Sequence, residues 1–185
     1  MSPAASADSD ATGGGMDQAA TIILFLDFDG VLHPLFNVGQ NGRTATIYEG
    51  PFFVHAPRLA ELLAPYLERI EIVISSSWGR TRSLEQLQTL LPSAIAARVT
   101  DTTWIQGHEA DTRSALPTRY GCIDQWLRFK LPGYAGRWLA LDDDNRDWPS
   151  DELHRLVVVR GTLASPAVQI ELADRLRLLL APASR

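Results

Sequence analysis

Ile22-Ile23-Leu24-Phe25-Leu26-Asp27-Phe28-Asp29-Gly30-Val31 is the stretch on which the reading of this chain turns. Its opening run of large apolar residues shows no alternation, so residues 21–27 are predicted to form a central strand buried on both faces. Two carboxylates separated by one residue stand at its C-terminal end. Side chains alternate along a strand, so Asp27 and Asp29 point the same way. Gly30 then lets the chain turn sharply. A solvated strand-end turn also favours Asp and Gly. Ligands of open α/β sheets, however, bind outside the carboxyl ends of strands, which makes this pair a candidate site.

From Thr21 onward, short apolar runs alternate with helix-like stretches. That is the pattern of an α/β fold, a Rossmann-like three-layer sandwich around a central, mostly parallel sheet. Residues 33–57 carry Gly, Asn and Pro and read as a loop, with a small hairpin around 44–48. Leu59, Leu62, Leu63 and Leu67 have helical spacing, and 70–75 is the next strand. Ser83 with Gln86 forms a capping-box signal for a helix reaching about residue 91. A third strand is expected within 97–104, then a polar loop over 106–118. Ile123, Trp126 and Leu127 mark an amphipathic helix. Residues 138–141 and 156–160 are the fourth and fifth strands. Ser165-Pro166 places a cap and an N1 proline before a closing helix to about residue 180.

The chain has 185 residues, 45% hydrophobic and 21% charged, which suits one ordinary globular domain. The expected organisation is a disordered leader over 1–20 and a single domain over 21–185, with a small insert or flap at about 33–57. The leader residues are small and polar and lack the basic and apolar regions of a secretory signal. Apolar runs are too short to span a bilayer, so no membrane partner is expected. Cys122 is the only cysteine. No internal disulfide can form, and a cytoplasmic location is expected. The net charge is −5, with Asp8, Asp10 and Asp17 in the leader. The rest is therefore near neutral, which argues against bulk electrostatic binding to nucleic acid.

Trp138-Leu139-Ala140-Leu141-Asp142-Asp143-Asp144 repeats the theme of an apolar strand ending in carboxylates, and Asp147 follows. If the two strands are neighbours, their carboxylates converge and repel, and a cation resolves the conflict. Oxygen ligands without a Cys or His cluster point to magnesium. His33, His55, His108 and His154 are scattered without zinc-ligand spacing. Ile72-Val73-Ile74-Ser75-Ser76-Ser77-Trp78 ends a strand in hydroxyls at a strand-to-helix turn, where hydroxyls and backbone N–H groups can hold a phosphate. Arg119 precedes a helix and could neutralise a phosphoryl group, with Arg113 and Arg137 as rivals. The sole lysine, Lys130, has no Gly-rich loop before it, which disfavours a P-loop kinase.

These four features, in this order, resemble the four motifs of the haloacid-dehalogenase (HAD) superfamily. Asp27-Phe28-Asp29-Gly30-Val31 is similar to its first motif, Ser75 to its second, Arg119 to its third and Asp142-Asp143 to its acidic fourth. Within the superfamily, Asp27-Phe28-Asp29-Gly30-Val31-Leu32-His33-Pro34, Ser75-Ser76-Ser77-Trp78 and Leu141-Asp142-Asp143-Asp144 look like a small bacterial group that includes phosphatase domains of RNA-repair proteins.

The resemblance implies a Mg²⁺-dependent phosphomonoester hydrolase. Asp27 would be the nucleophile, forming an aspartyl-phosphate, and Asp29 the acid and then base, protonated while Asp27 stays ionised. Magnesium would be held by the Asp27 carboxylate, the Asp29 backbone carbonyl, Asp142 and Asp143. Ser75, Ser76 and Arg119 would bind the phosphoryl oxygens. Arg119 stands where Lys is commoner, and no segment before it is long enough for a cap domain. A nearly capless site favours a bulky phosphoester, with His33, Arg43 and Arg80 as rim residues. A nucleic-acid end and a small phosphorylated molecule both remain open as substrate. A non-catalytic binding module that keeps the fold is the third reading.

Overall fold

The computed structural model of the protein describes residues 21–34, 50–104 and 118–181. The leader at 1–20, the hairpin expected around 44–48 and nearly all of the polar loop lie outside these residues.

Among the described residues, five strands form one parallel sheet in the order β3-β2-β1-β4-β5. They are β1 (Ile22–Leu26), β2 (Ile70–Ile74), β3 (Val99–Thr102), β4 (Trp138–Asp142) and β5 (Leu156–Val158). The expected α/β, Rossmann-like fold is present. β1 lies at the centre, paired with β2 and with β4 in parallel register, Leu26 opposite both Ile74 and Leu141. Every β1 residue is buried, because both faces of the sheet are covered.

The alternation of β1 divides the core in two. Ile22, Leu24 and Leu26 face one side, with Leu59 and Leu63 of α1 (Ala56–Leu63), Leu87 of α2 (Leu84–Gln88), Ile95 of α3 (Ser93–Ala96), and Leu172 and Leu176 of α5 (Pro166–Leu180). Ile23 and Phe25 face the other, against Ile123 and Trp126 of α4 (Arg119–Lys130) and against Trp138 and Trp148. Phe25 meets Trp126 and Trp138 edge-on, with ring centroids at 5.5 and 5.7 Å. Connections from β1 and β2 thus use one face and the connection into β4 the other. That change of face between β1 and β4 opens the crevice where ligands of such sheets bind.

Element ends differ from expectation in two places. The Ser83–Gln86 capping box forms, but α2 ends at Gln88 and α3 begins after Pro92. A proline disfavours helical backbone in the residue before it, so the helix does not run on to 91. Leu67 falls in a separate 3₁₀ turn, Leu67–Arg69, beyond α1. Ser165 and Pro166 do start α5, although the Ser165 side chain makes no capping bond. No large cap domain occurs among the described residues, and no helix there is long and apolar enough to cross a membrane.

Asp101 ties edge strand β3 to α4. It accepts a hydrogen bond from Trp126 Nε1 at 3.0 Å and pairs with Lys130 at 2.9 Å. Burial raises the Asp101 pKa, but Lys130, the Thr102 N–H and Trp126 outweigh it and carry the value below the usual range. A depressed carboxylate stabilises the fold above its unfolded pKa, about 4, and that contribution is lost as pH falls through the folded value. Asp101→Ala is expected to lower stability by about 1–3 kcal/mol, because the buried indole N–H loses its acceptor. The half-exposed Lys130 contact adds little. Urea denaturation at neutral pH checks the loss.

Candidate active site

The sheet hydrogen bonding continues one residue past the ends of the central strands, and this sets the site. The Asp27 N–H donates to Leu141 O at 3.0 Å, and the Ser75 N–H to Leu26 O at 2.8 Å. Asp27, Ser75 and Asp142 therefore stand side by side at the carboxyl edge of three adjacent strands. They are 0%, 2% and 1% exposed.

Carboxylate oxygens of Asp27, Asp142 and Asp143 all lie within 4.8 Å of one another. Burial is the main force raising the Asp27 pKa well above normal, with repulsion from Asp142 next; Arg119 opposes both. Burial likewise pushes Asp142 up to about 7, although Arg119 and the Asp144 N–H favour its charge. Asp143 is raised too, chiefly by burial. Three acids in one small volume are short of positive charge, and a divalent cation would supply it. The donors are hard oxygens, as Mg²⁺ prefers. Asp27 Oδ1 is buried and has no hydrogen-bond partner among the described residues, a further sign that the residues fit a cation.

Gly30 makes room for Asp143. It sits at φ 74°, and a Cβ added there would fall 2.5 Å from the Asp143 carboxyl carbon. The glycine is thus required both by backbone conformation and by the close approach of that carboxylate.

Arg119 is the first residue of α4, which Thr118 caps through a 3.0 Å bond from the Gly121 N–H. Its Nη2 donates to Asp27 Oδ2 at 3.0 Å, its Nη1 to Ser75 O at 3.2 Å, and its Nε lies 3.8 Å from Asp142 Oδ2. Burial opposes its charge, but Asp27 and Asp142 overcome that and raise its pKa. Of its rivals, Arg137 bonds Leu179 O at 2.7 Å, and its own carbonyl accepts from Ile23 N at the opposite end of the sheet. Arg113 lies outside the described residues.

The Ser75 and Ser76 hydroxyls are buried and find no hydrogen-bond partner among the described residues. Ser76 is near enough to favour ionised Asp27, yet no hydrogen bond of regular geometry joins them.

The Asp29 carboxylate does not join the cluster of three. It accepts from His33 Nε2 at 3.0 Å and from Trp78 Nε1, 3.2 Å from each oxygen. Burial raises its pKa, but the bonds from His33 and Trp78 prevail and lower it. Without a cation, both shifts therefore run against the expected pairing of an ionised Asp27 with a protonated Asp29. A cation beside Asp27 would oppose the first shift, and a phosphoryl anion beside Asp29 would oppose the second.

His33 is not the rim residue expected from sequence. It is 0% exposed, enclosed by Phe52, Phe53 and Trp78. Sequence reasoning missed Trp78 as a donor to Asp29, and only its place in Ser75-Ser76-Ser77-Trp78 hinted at a role. Arg80 does border the site, with its guanidinium 5.2 Å from the Trp104 ring centroid. Arg43 lies outside the described residues.

No curated protein and no solved structure matches the chain significantly. A family model described as "HAD domain in Swiss Army Knife RNA repair proteins" matches residues 23–164. The matched span runs from β1 through β5 and includes each residue of the carboxylate cluster, Arg119 and both serines. The chain belongs to the family of HAD domains found in Swiss Army Knife RNA repair proteins.

Proposed function

We propose that the protein is a magnesium-dependent phosphomonoesterase that works through a phosphoryl group carried on Asp27. The observation that carries this reading is the convergence of Asp27, Asp142 and Asp143 around one small volume, with Arg119 bonded to Asp27. Magnesium would be held by those three carboxylates and the Asp29 backbone carbonyl, and when bound it supplies positive charge for the transferring phosphoryl oxygens.

The chain's own groups divide the remaining work. An Asp27 oxygen attacks phosphorus, and the ester P–O bond breaks. Asp29 gives its proton to the departing oxygen. It then takes a proton from the water that attacks the aspartyl-phosphate, so inorganic phosphate leaves and both carboxyl groups return to their starting states. Covalent catalysis splits one difficult displacement into two easier ones. Arg119 and the Ser75 and Ser76 hydroxyls would bind the non-bridging oxygens. Hydrolysis of a phosphate monoester can demand ~10²¹-fold acceleration, about 28 kcal/mol, whereas one oriented donor supplies about 3–4 kcal/mol. Nucleophile, acid, cation and anion clamp are therefore needed together.

Hydrolysis of p-nitrophenyl phosphate with and without Mg²⁺ tests the reading. Turnover that needs the metal and fails in Asp142→Asn supports it. Absence of turnover on a broad phosphoester panel favours a binding module instead. Gly30→Ala is expected to weaken Mg²⁺ binding by about 10–100-fold, as loss of a supporting contact at a metal site does, because its Cβ displaces Asp143. Calorimetric Mg²⁺ titration measures this.

A narrower substrate class, a phosphorylated nucleic-acid end, is favoured by a cavity of about 360 Å³ beside Arg119, bordered by Ser77, Arg80, Trp104, Asp147 and the paired Arg146 and Asp144. An aromatic face beside arginines suits a stacked base and its backbone phosphates. The RNA-repair context of the family agrees with it. Assays on 3′- and 5′-phosphorylated oligonucleotides beside nucleotides and sugar phosphates separate the classes. Trp104→Ala should lower kcat/KM on an oligonucleotide about tenfold or more if a base stacks there.

A further inference from the structure

The Asp29 carboxylate accepts from the Ser77 hydroxyl at 3.5 Å and, more closely, from two ring donors in different parts of the chain. His33 Nε2 lies 3.0 Å from Oδ1, and Trp78 Nε1 lies 3.2 Å from both oxygens. His33 is itself fixed. Its Nδ1 accepts from the Phe53 N–H at 3.4 Å. A backbone N–H can only donate, so in the neutral ring the single proton sits on Nε2 and points at Asp29. Phe53 holds φ 60°, a left-handed conformation uncommon outside glycine. The ring is walled by Phe52, Phe53 and Trp78, at centroid distances of 5.0, 5.1 and 5.7 Å. Trp78 is held in turn by edge contacts with Phe28 and Phe53 and by Arg82, 4.2 Å over its ring.

A buried histidine in an aromatic shell is commonly just a satisfied core residue. Two features point further here. Both ring nitrogens are engaged, so its tautomer is set. A second donor, the Trp78 indole, converges on the same carboxylate, which is otherwise partly open to solvent. We propose that His33 and Trp78 are positioning residues that hold Asp29 in the orientation from which it passes its proton to the leaving oxygen. The inference rests on the phosphatase reading above. Its physical basis is that proton transfer needs the carboxyl oxygen within hydrogen-bond reach of the leaving oxygen, and that a displacement of about 1 Å can reduce a rate ~10²-fold.

The test compares kcat/KM on phenyl phosphate, whose leaving oxygen is strongly basic, with that on p-nitrophenyl phosphate, whose leaving oxygen departs with little need of a proton. kcat/KM reports phosphoryl transfer to Asp27 and not the later hydrolysis. His33→Phe fills the cage without a donor, and Trp78→Phe keeps a ring without the N–H. Each should lose about 10–100-fold on phenyl phosphate and stay within about threefold on p-nitrophenyl phosphate. Equal losses on both esters, or no loss on either, overturn the inference. If His33→Phe does not fold, Trp78→Phe decides alone. A native protein that hydrolyses neither ester with Mg²⁺ removes the phosphatase reading and this role with it, whereas equal losses remove only the role. Ring ¹⁵N shifts of His33 in the native protein check the arrangement apart from activity. The proton on Nε2 is expected, and a neutral ring protonated on Nδ1 contradicts it.

Discussion

Asp27→Asn is expected to lower kcat by more than about 10⁴-fold, the scale of loss when a covalent nucleophile is removed. The amide matches the carboxylate in size but cannot form a stable acyl phosphate by the same attack. The fold should survive, because Asp27 contributes its backbone to the sheet through the bond to Leu141 O, which the substitution leaves in place. The metal-free variant should melt no more than a few degrees below the native protein. Burial and Asp142 both work against the Asp27 charge, so losing that charge offsets the weaker contact with Arg119. Steady-state hydrolysis and thermal melts of the same sample give both answers. A variant that turns over normally shows that the nucleophile lies elsewhere.

Arg119→Ala carries the second large effect. Turnover should fall about 10²–10³-fold, as when one oriented donor to a developing oxyanion is removed. The more telling result lies in stability. Arg119 is the cation bonded to Asp27 and near Asp142. Without it the metal-free protein should lose up to about 3 kcal/mol, the low end for breaking a buried pair, since the acids can protonate instead. Adding Mg²⁺ should restore more stability to the variant than it adds to the native protein, because the ion then meets two uncompensated carboxylates. Denaturant melts with and without Mg²⁺ measure the difference. A variant as stable as the native protein in metal-free buffer would show that Arg119 does not hold the pair.

The strands were legible because an unbroken apolar run such as Ile22–Leu26 has few alternatives once its length is near five residues. The adjacency of the first and fourth strands was legible for a chemical reason. Two strands ending in carboxylates make sense together, and β1 does pair with β4. Arg119 was favoured over Arg137 by its place ahead of a helix, but what separates the two in space was not legible. It depends on α4 crossing to the other face of the sheet, which brings one arginine to the carboxyl edge and leaves the other at the opposite end. The opposite shifts at Asp27 and Asp29 were not legible either, because burial sets the first and bonds from His33 and Trp78 the second, and both are tertiary. His33 reads as a polar loop residue in sequence. Only the return of Phe53 and Trp78 over it, 20 and 45 positions later, encloses it. Helix ends were off by a few residues where Pro92 and the turn at Leu67 outweighed the apolar spacing.

The central claim is that the acids at the ends of β1 and β4 act as one phosphoryl-transfer site. Acid-quenched protein, taken during turnover of p-nitrophenyl phosphate with Mg²⁺ and mapped by peptide mass spectrometry, tests it most directly. A phosphoryl group on Asp27, absent from Asp27→Asn and from samples without Mg²⁺, is the expected result. Sustained turnover with the phosphoryl group on another residue, or labelling of Asp27 that persists in Asp142→Asn without metal, would contradict it.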